Sequence, residues 1–168
     1  MSSLFGRWVQ GGLDAAIASA VAAGDTNTDF RAAVCRFEDD LFAQYPDGHA
    51  RIPRGEACDM VMEIFSALGR RPPRLDLVPG FSDPRIGGFA DVANHRIAIE
   101  RGHLYRFLVL HEAAHLVVPE DRLHGPAFTF VAQLLYRSFI GIPEEAMRRC
   151  LARNGLPVLT DGPLRLAA

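Results

Sequence analysis

An α+β fold is what this sequence predicts, and three observations carry the prediction. Apolar residues recur at helical spacing on both flanks of the chain. Three short alternating runs lie between residues 74 and 99. An apolar helix that carries two histidines and a glutamate follows them directly. The expected architecture is a single domain over residues 1–168, with a small, mostly antiparallel sheet of about three strands packed on that helix and further helices on its flanks.

Residues 1–28 read as peripheral. A short helix is expected over 13–23, and Gly24-Asp25-Thr26-Asn27-Thr28 breaks it. Thr28 or Asp29 is placed to cap a helix over 30–44. Tyr45-Pro46-Asp47-Gly48 then makes a turn. Residues 54–68 form a helix with Ala57, Val61, Ile64, Phe65 and Leu68 on one face, and Gly69 stops it.

The period then changes to two. Residues 74–78 alternate and run into Pro79-Gly80, so they read as a strand. Residues 88–92 and 95–99 read as two more strands, with Ala93-Asn94 as a tight turn between them. Helical periodicity resumes over 103–118 and ends at Pro119. Pro126 suits the first turn of a helix over 126–140, because its missing N–H costs nothing there. A last helix covers 144–153, and residues 155–168 form an irregular tail. The segment 74–140 is the expected core of the chemistry.

Composition narrows the function. The chain is 49% hydrophobic and 23% charged, enough apolar material for a core. Its net charge is −2, so no nucleic-acid partner is expected. Three scattered cysteines offer no disulfide framework and no CxxC pair. The first residues lack the order of a signal peptide, and no apolar run reaches the roughly 18 residues of a membrane span. A reduced, cytoplasmic protein without a membrane partner is expected.

The chemistry sits in Leu110-His111-Glu112-Ala113-Ala114-His115-Leu116. Histidines at i and i+4 share one helix face, so two imidazoles can converge on one metal ion. The intervening glutamate projects beside them, within reach of an activated water. With six histidines in 168 residues, this HExxH pattern arises by accident roughly once in a hundred such chains. The surrounding Phe107, Leu108, Val109, Leu110, Val117 and Val118 make the helix apolar all round, hence buried. Buried ionisable groups need partners, and a metal ion supplies them.

A catalytic zinc site takes a third protein ligand and keeps one position open. His124 is the leading candidate, since Pro119 and Gly125-Pro126 let the chain turn back between two helices. Glu120 and Asp121 are rivals. Asp121 falls where the HExxHxxGxxH pattern places its third ligand, but Val118 stands where that pattern needs glycine. Tyr136 is a candidate transition-state stabiliser, with His95, His103 and Tyr105 as weaker ones.

His111-Glu112-Ala113-Ala114-His115 followed by His124-Gly125-Pro126-Ala127-Phe128 resembles the SprT-like and minigluzincin zinc metallopeptidases, in which an HGxxF-type element opens the next helix. The hairpin sequence of residues 88–99 resembles the one that leads into that family's active-site helix. A closer resemblance is to a family of actinobacterial metallohydrolases. The likeness covers about residues 75–140. It implies a zincin-like fold, one zinc ion per chain held by His111, His115 and His124, Glu112 as the general base, and a peptide or protein substrate. No four-cysteine zinc ribbon follows, which removes the feature tied to DNA-linked roles in SprT-like proteins. HExxH specifies metal and base but not substrate, so a non-peptidase amidohydrolase and a silent, zinc-stabilised binding or regulatory domain are the alternatives.

Overall fold

The computed structural model describes residues 30–118 and 124–158. The expected helix at 13–23, the Thr28 or Asp29 cap, Glu120, Asp121 and most of the tail lie outside these residues. The described part is α+β, with five α-helices and one three-stranded sheet.

Helix α1 (Arg31–Gln44) buries Val34, Phe37, Glu38, Leu41 and Phe42, the 3-1-3-1 spacing of one helical stripe. It ends at Tyr45 because the residue before a proline is pushed out of the helical region; Tyr45 has φ −123° and ψ 74°. The chain then turns sharply against α1. A side chain at Gly48 would lie 2.1 Å from the Phe42 ring, so only glycine fits there. Helix α2 (Arg54–Ala67) closes in a Schellman motif. Gly69 takes φ +64°, its N–H bonds Ser66 O, and the Arg70 N–H bonds Phe65 O at 2.8 Å.

Strands β1 (Arg74–Val78), β2 (Gly88–Asp91) and β3 (Arg96–Glu100) are ordered β1-β3-β2. The sheet is mixed, which corrects the mostly antiparallel expectation. β2 and β3 pair antiparallel, Gly88 opposite Ile99, but β1 and β3 pair parallel, Arg74 opposite Arg96. Alternation has the same period in either direction, so strand sense is set by the path of residues 79–87 and not by the strands themselves. β3 is the central strand, with Ile97, Ala98 and Ile99 all buried.

Two local boundaries also differ from the sequence reading. The β2–β3 connection is four residues, Val92 to His95, rather than the two-residue turn. Asp91 accepts the Asn94 backbone N–H and its side-chain amide, and His95 takes φ 49° to re-enter the sheet. Helix α3 (Arg106–Val117) starts three residues later than expected. Leu104 O accepts Ile52 N–H and Arg106 N–H bonds Ala50 O, so this backbone is committed to a cross-chain pairing before the helix can begin.

Helix α4 (Pro126–Phe139) lies at the centre, with residues 127–136 all buried. Helix α5 (Glu144–Arg153) ends in a second glycine stop at Gly155, φ +68°. One core joins α1, α2, the inner sheet face, α3, α4 and α5. Each fully buried Phe or Leu in it contributes about 1.5–3 kcal/mol. No helix of the described residues is long and apolar enough to cross a membrane. The consequence for function is positional: α3 packs on β2 and β3 on one side and on α4 on another, so the HExxH turn is pinned between the sheet edge and the central helix.

Candidate metal centre

His111 and His115 lie one turn apart on α3, with ring centroids 5.2 Å apart. His124 stands just before α4, 8% exposed, its ring 5.1 Å from His111 and 4.8 Å from His115. Gly125 caps α4 in extended conformation, and Pro126 takes the first helical position as the sequence implies. Phe128, two residues later, sits among the three imidazoles. It stacks on His115 at 4.3 Å and meets His111 and His124 edge-on. One ligand atom from each histidine falls within 4.8 Å of the other two.

The nitrogen geometry tests whether a metal fits. His111 Nε2 and His124 Nε2 are 3.2 Å apart. Bonds of about 2.0–2.1 Å to one tetrahedral ion place two ligand nitrogens about 3.3 Å apart. The charge also fits. Two buried carboxylates, Glu38 and Glu112, stand beside the imidazoles, and a dication would balance both. The residues present therefore suit a zinc-type ion.

Glu38 is the residue that sequence reasoning missed. It accepts the Nδ1–H of His111 at 2.7 Å and the Tyr136 hydroxyl at 2.5 Å on the same oxygen. This fixes the orientation of the His111 ring and turns its Nε2 toward His124. A signal did exist: Glu38 is the one acid in the stripe Val34, Phe37, Leu41, Phe42, where burial demands a partner. Tyr136 is fully buried and gives its hydroxyl to Glu38, so it acts behind the His111 ring. His95 donates to the Arg71 carbonyl, His103 pairs with Glu100, and Tyr105 stacks on Phe107. Asp121 and Glu120 lie outside the described residues.

Electrostatics divide the groups of the metal-free chain. Burial opposes charge on His111, but the Glu38 carboxylate outweighs it and lifts the pKa to about 9. Burial, with His111 and His124 adding to it, pushes His115 down to about 2, leaving it neutral with its lone pair available. Glu38 is held below the ordinary carboxylate range: burial pulls the other way, and His111 and the Tyr136 hydroxyl overcome it. Burial raises Glu112 to about 7, despite His111 nearby.

Glu112 is positioned by the sheet edge. Its carboxylate accepts the Ala90 backbone N–H from β2. β2 approaches so closely that a Cβ at Gly88 would stand 2.9 Å from Glu112 Oε1 and 3.2 Å from Leu108. Gly88→Ala is therefore expected to displace the Glu112 carboxylate while sparing the three imidazoles. Any reaction that depends on the placement of Glu112 should fall by about tenfold or more, with metal content unchanged. Kinetics beside metal analysis of the purified variant checks this; equal loss of zinc and activity would contradict it.

Comparison of the chain with known protein families, with curated proteins and with solved structures returns no match.

Proposed function

We propose that this chain is a zinc-dependent hydrolase of amide bonds, a peptidase of zincin-like architecture with one zinc per chain. The observation that carries the reading is the convergence of His111, His115 and His124 beside a buried carboxyl, Glu112, that accepts the Ala90 amide of the neighbouring strand. His111, His115 and His124 would hold the ion through their ring nitrogens. The chemistry zinc supplies when bound is Lewis-acid activation of water and of a carbonyl group.

The other steps belong to the protein. Glu112 takes a proton from the attacking water and hands it to the leaving nitrogen as the C–N bond breaks, so that one water is consumed per bond. Glu38 holds His111 in place and Tyr136 holds Glu38; we assign both a positioning role. Phe128 packs its ring against all three imidazoles and helps to hold them in place. β2 is one of the sheet's two edge strands among the described residues and Glu112 lies against it, so an extended peptide bound along this edge would reach Glu112. This favours a peptide or protein over a small amide as substrate.

The test is hydrolysis of a mixture of unstructured peptides by the zinc-loaded chain, with chelated protein and Glu112→Gln as blanks. Cleavage that chelation removes and zinc restores supports the reading. Absence of cleavage by protein carrying stoichiometric zinc overturns it.

A further inference from the structure

The segment that leads into β1 and the turn before β3 enclose a cleft of about 440 Å³. Arg71, Pro72, Arg74, Asn94, His95 and Arg96 line it, and no residue of the metal centre does. Half of this lining carries a permanent positive charge, and Pro72 is its one apolar member.

The walls are stiff. Gly69 ends α2, and a residue before proline is pushed to extended backbone, so Arg71-Pro72-Pro73 runs as a rail with few conformations. His95 ties this rail to the turn twice. Its Nε2–H donates to the Arg71 carbonyl at 2.7 Å, and its own carbonyl accepts the Arg74 N–H at 3.2 Å. It does so at φ 49°, a left-handed backbone that a non-glycine residue adopts at a cost. The cleft is therefore held open before any ligand arrives.

Its charge is not balanced. The parallel register sets Arg74 directly opposite Arg96, where like charges repel. Asp76 stands between them, 2.8 Å from Arg74 and 3.7 Å from Arg96, and Asp91 meets Arg96 at 3.3 Å. Neither aspartate lines the cleft. Arg71 is exposed and forms no ion pair among the described residues. Three guanidinium groups thus stand against two carboxylates.

We infer that this cleft binds a phosphate group, held chiefly by Arg71 with Arg74 and Arg96 beside it. Guanidinium forks match phosphate oxygens in pairs. Two of the three are already engaged by aspartates, so a doubly charged anion competes for them better than a single carboxylate does. The volume exceeds that of a bare ion and falls in the range of small-molecule sites. A lining without aromatic rings suits a phosphate carried on a polar body such as a sugar. The inference does not depend on the hydrolase reading.

The experiment titrates inorganic phosphate, ribose 5-phosphate and acetate separately into the full, isotope-labelled chain. Backbone amide shifts are followed by NMR at constant ionic strength, so that screening is the same at every point. Phosphate should shift the amides of residues 71, 74 and 94–96 saturably. Arg71→Ala should weaken binding by about three- to tenfold with the melting temperature unchanged. Asp76→Asn should strengthen it by about two- to threefold, because it frees guanidinium groups for the ligand. Tighter binding of ribose 5-phosphate assigns an ester as the ligand and equal binding assigns the free ion; either supports the site. Four results overturn it: no saturable shift up to about 20 mM phosphate, equal binding of acetate, unchanged affinity in Arg71→Ala, or shifts that centre on residues 111–124 instead.

Discussion

Glu112→Gln is expected to lower hydrolysis by about 10²–10⁴-fold while leaving one zinc bound. The substitution keeps the size of the side chain and removes only its ability to hold a transferable proton. Glu112 is not among the three converging ligands, so the metal has no reason to leave. Stability gives an independent readout in the metal-free protein. Burial lifts the Glu112 pKa from an ordinary 4.5 to about 7. A group whose folded pKa is raised contributes stability below its unfolded value and loses it as pH climbs through the folded one. Wild type thus loses that contribution between about pH 4.5 and 7, on the order of 3 kcal/mol, and glutamine does not. Metal-free Glu112→Gln should therefore gain on wild type in melting temperature as pH rises from 5 to 8. A constant difference across that range would show that Glu112 is not held in an environment hostile to its charge.

Glu38→Ala is expected to weaken zinc binding by about 10–100-fold, although Glu38 is not itself placed to touch the metal. It holds Nδ1 of His111, and without it the ring loses its orientation. The metal-free fold should suffer as well. Removing one partner of a buried charged pair costs about 3–5 kcal/mol, because His111 then sits buried without its counter-charge and Tyr136 without its acceptor. Tyr136→Phe should show the same direction at smaller size, since it removes one of the two bonds to Glu38. Titration against a chromophoric chelator separates affinity from stability. Unchanged affinity in Glu38→Ala would mean that the helix alone orients His111.

The grouping of His111, His115 and His124 was legible because it is built locally. An i, i+4 pair on a helix shares a face wherever that helix lies, and Pro126 marked the start of α4 beside His124. The five described helices were legible for the same reason, from periodicity and from stops such as Gly69. What escaped depends on contacts across the chain. Glu38 is 73 positions from His111, and nothing between them announces the pairing. The parallel β1–β3 ladder depends on the route of residues 79–87. Gly88 reads as an ordinary strand start until α3 is packed beneath it. The late start of α3 reflects hydrogen bonds from Ala50 and Ile52, more than fifty positions upstream.

Metal content tests the central claim most directly. Protein purified under metal-replete conditions should carry one zinc per chain by elemental analysis. His111→Ala should carry none, and His124→Ala should hold it weakly enough to lose it on dialysis against a mild chelator. Wild type that binds no zinc under these conditions would contradict the account: the three imidazoles would then be a buried polar cluster, and the hydrolase reading would fall with them.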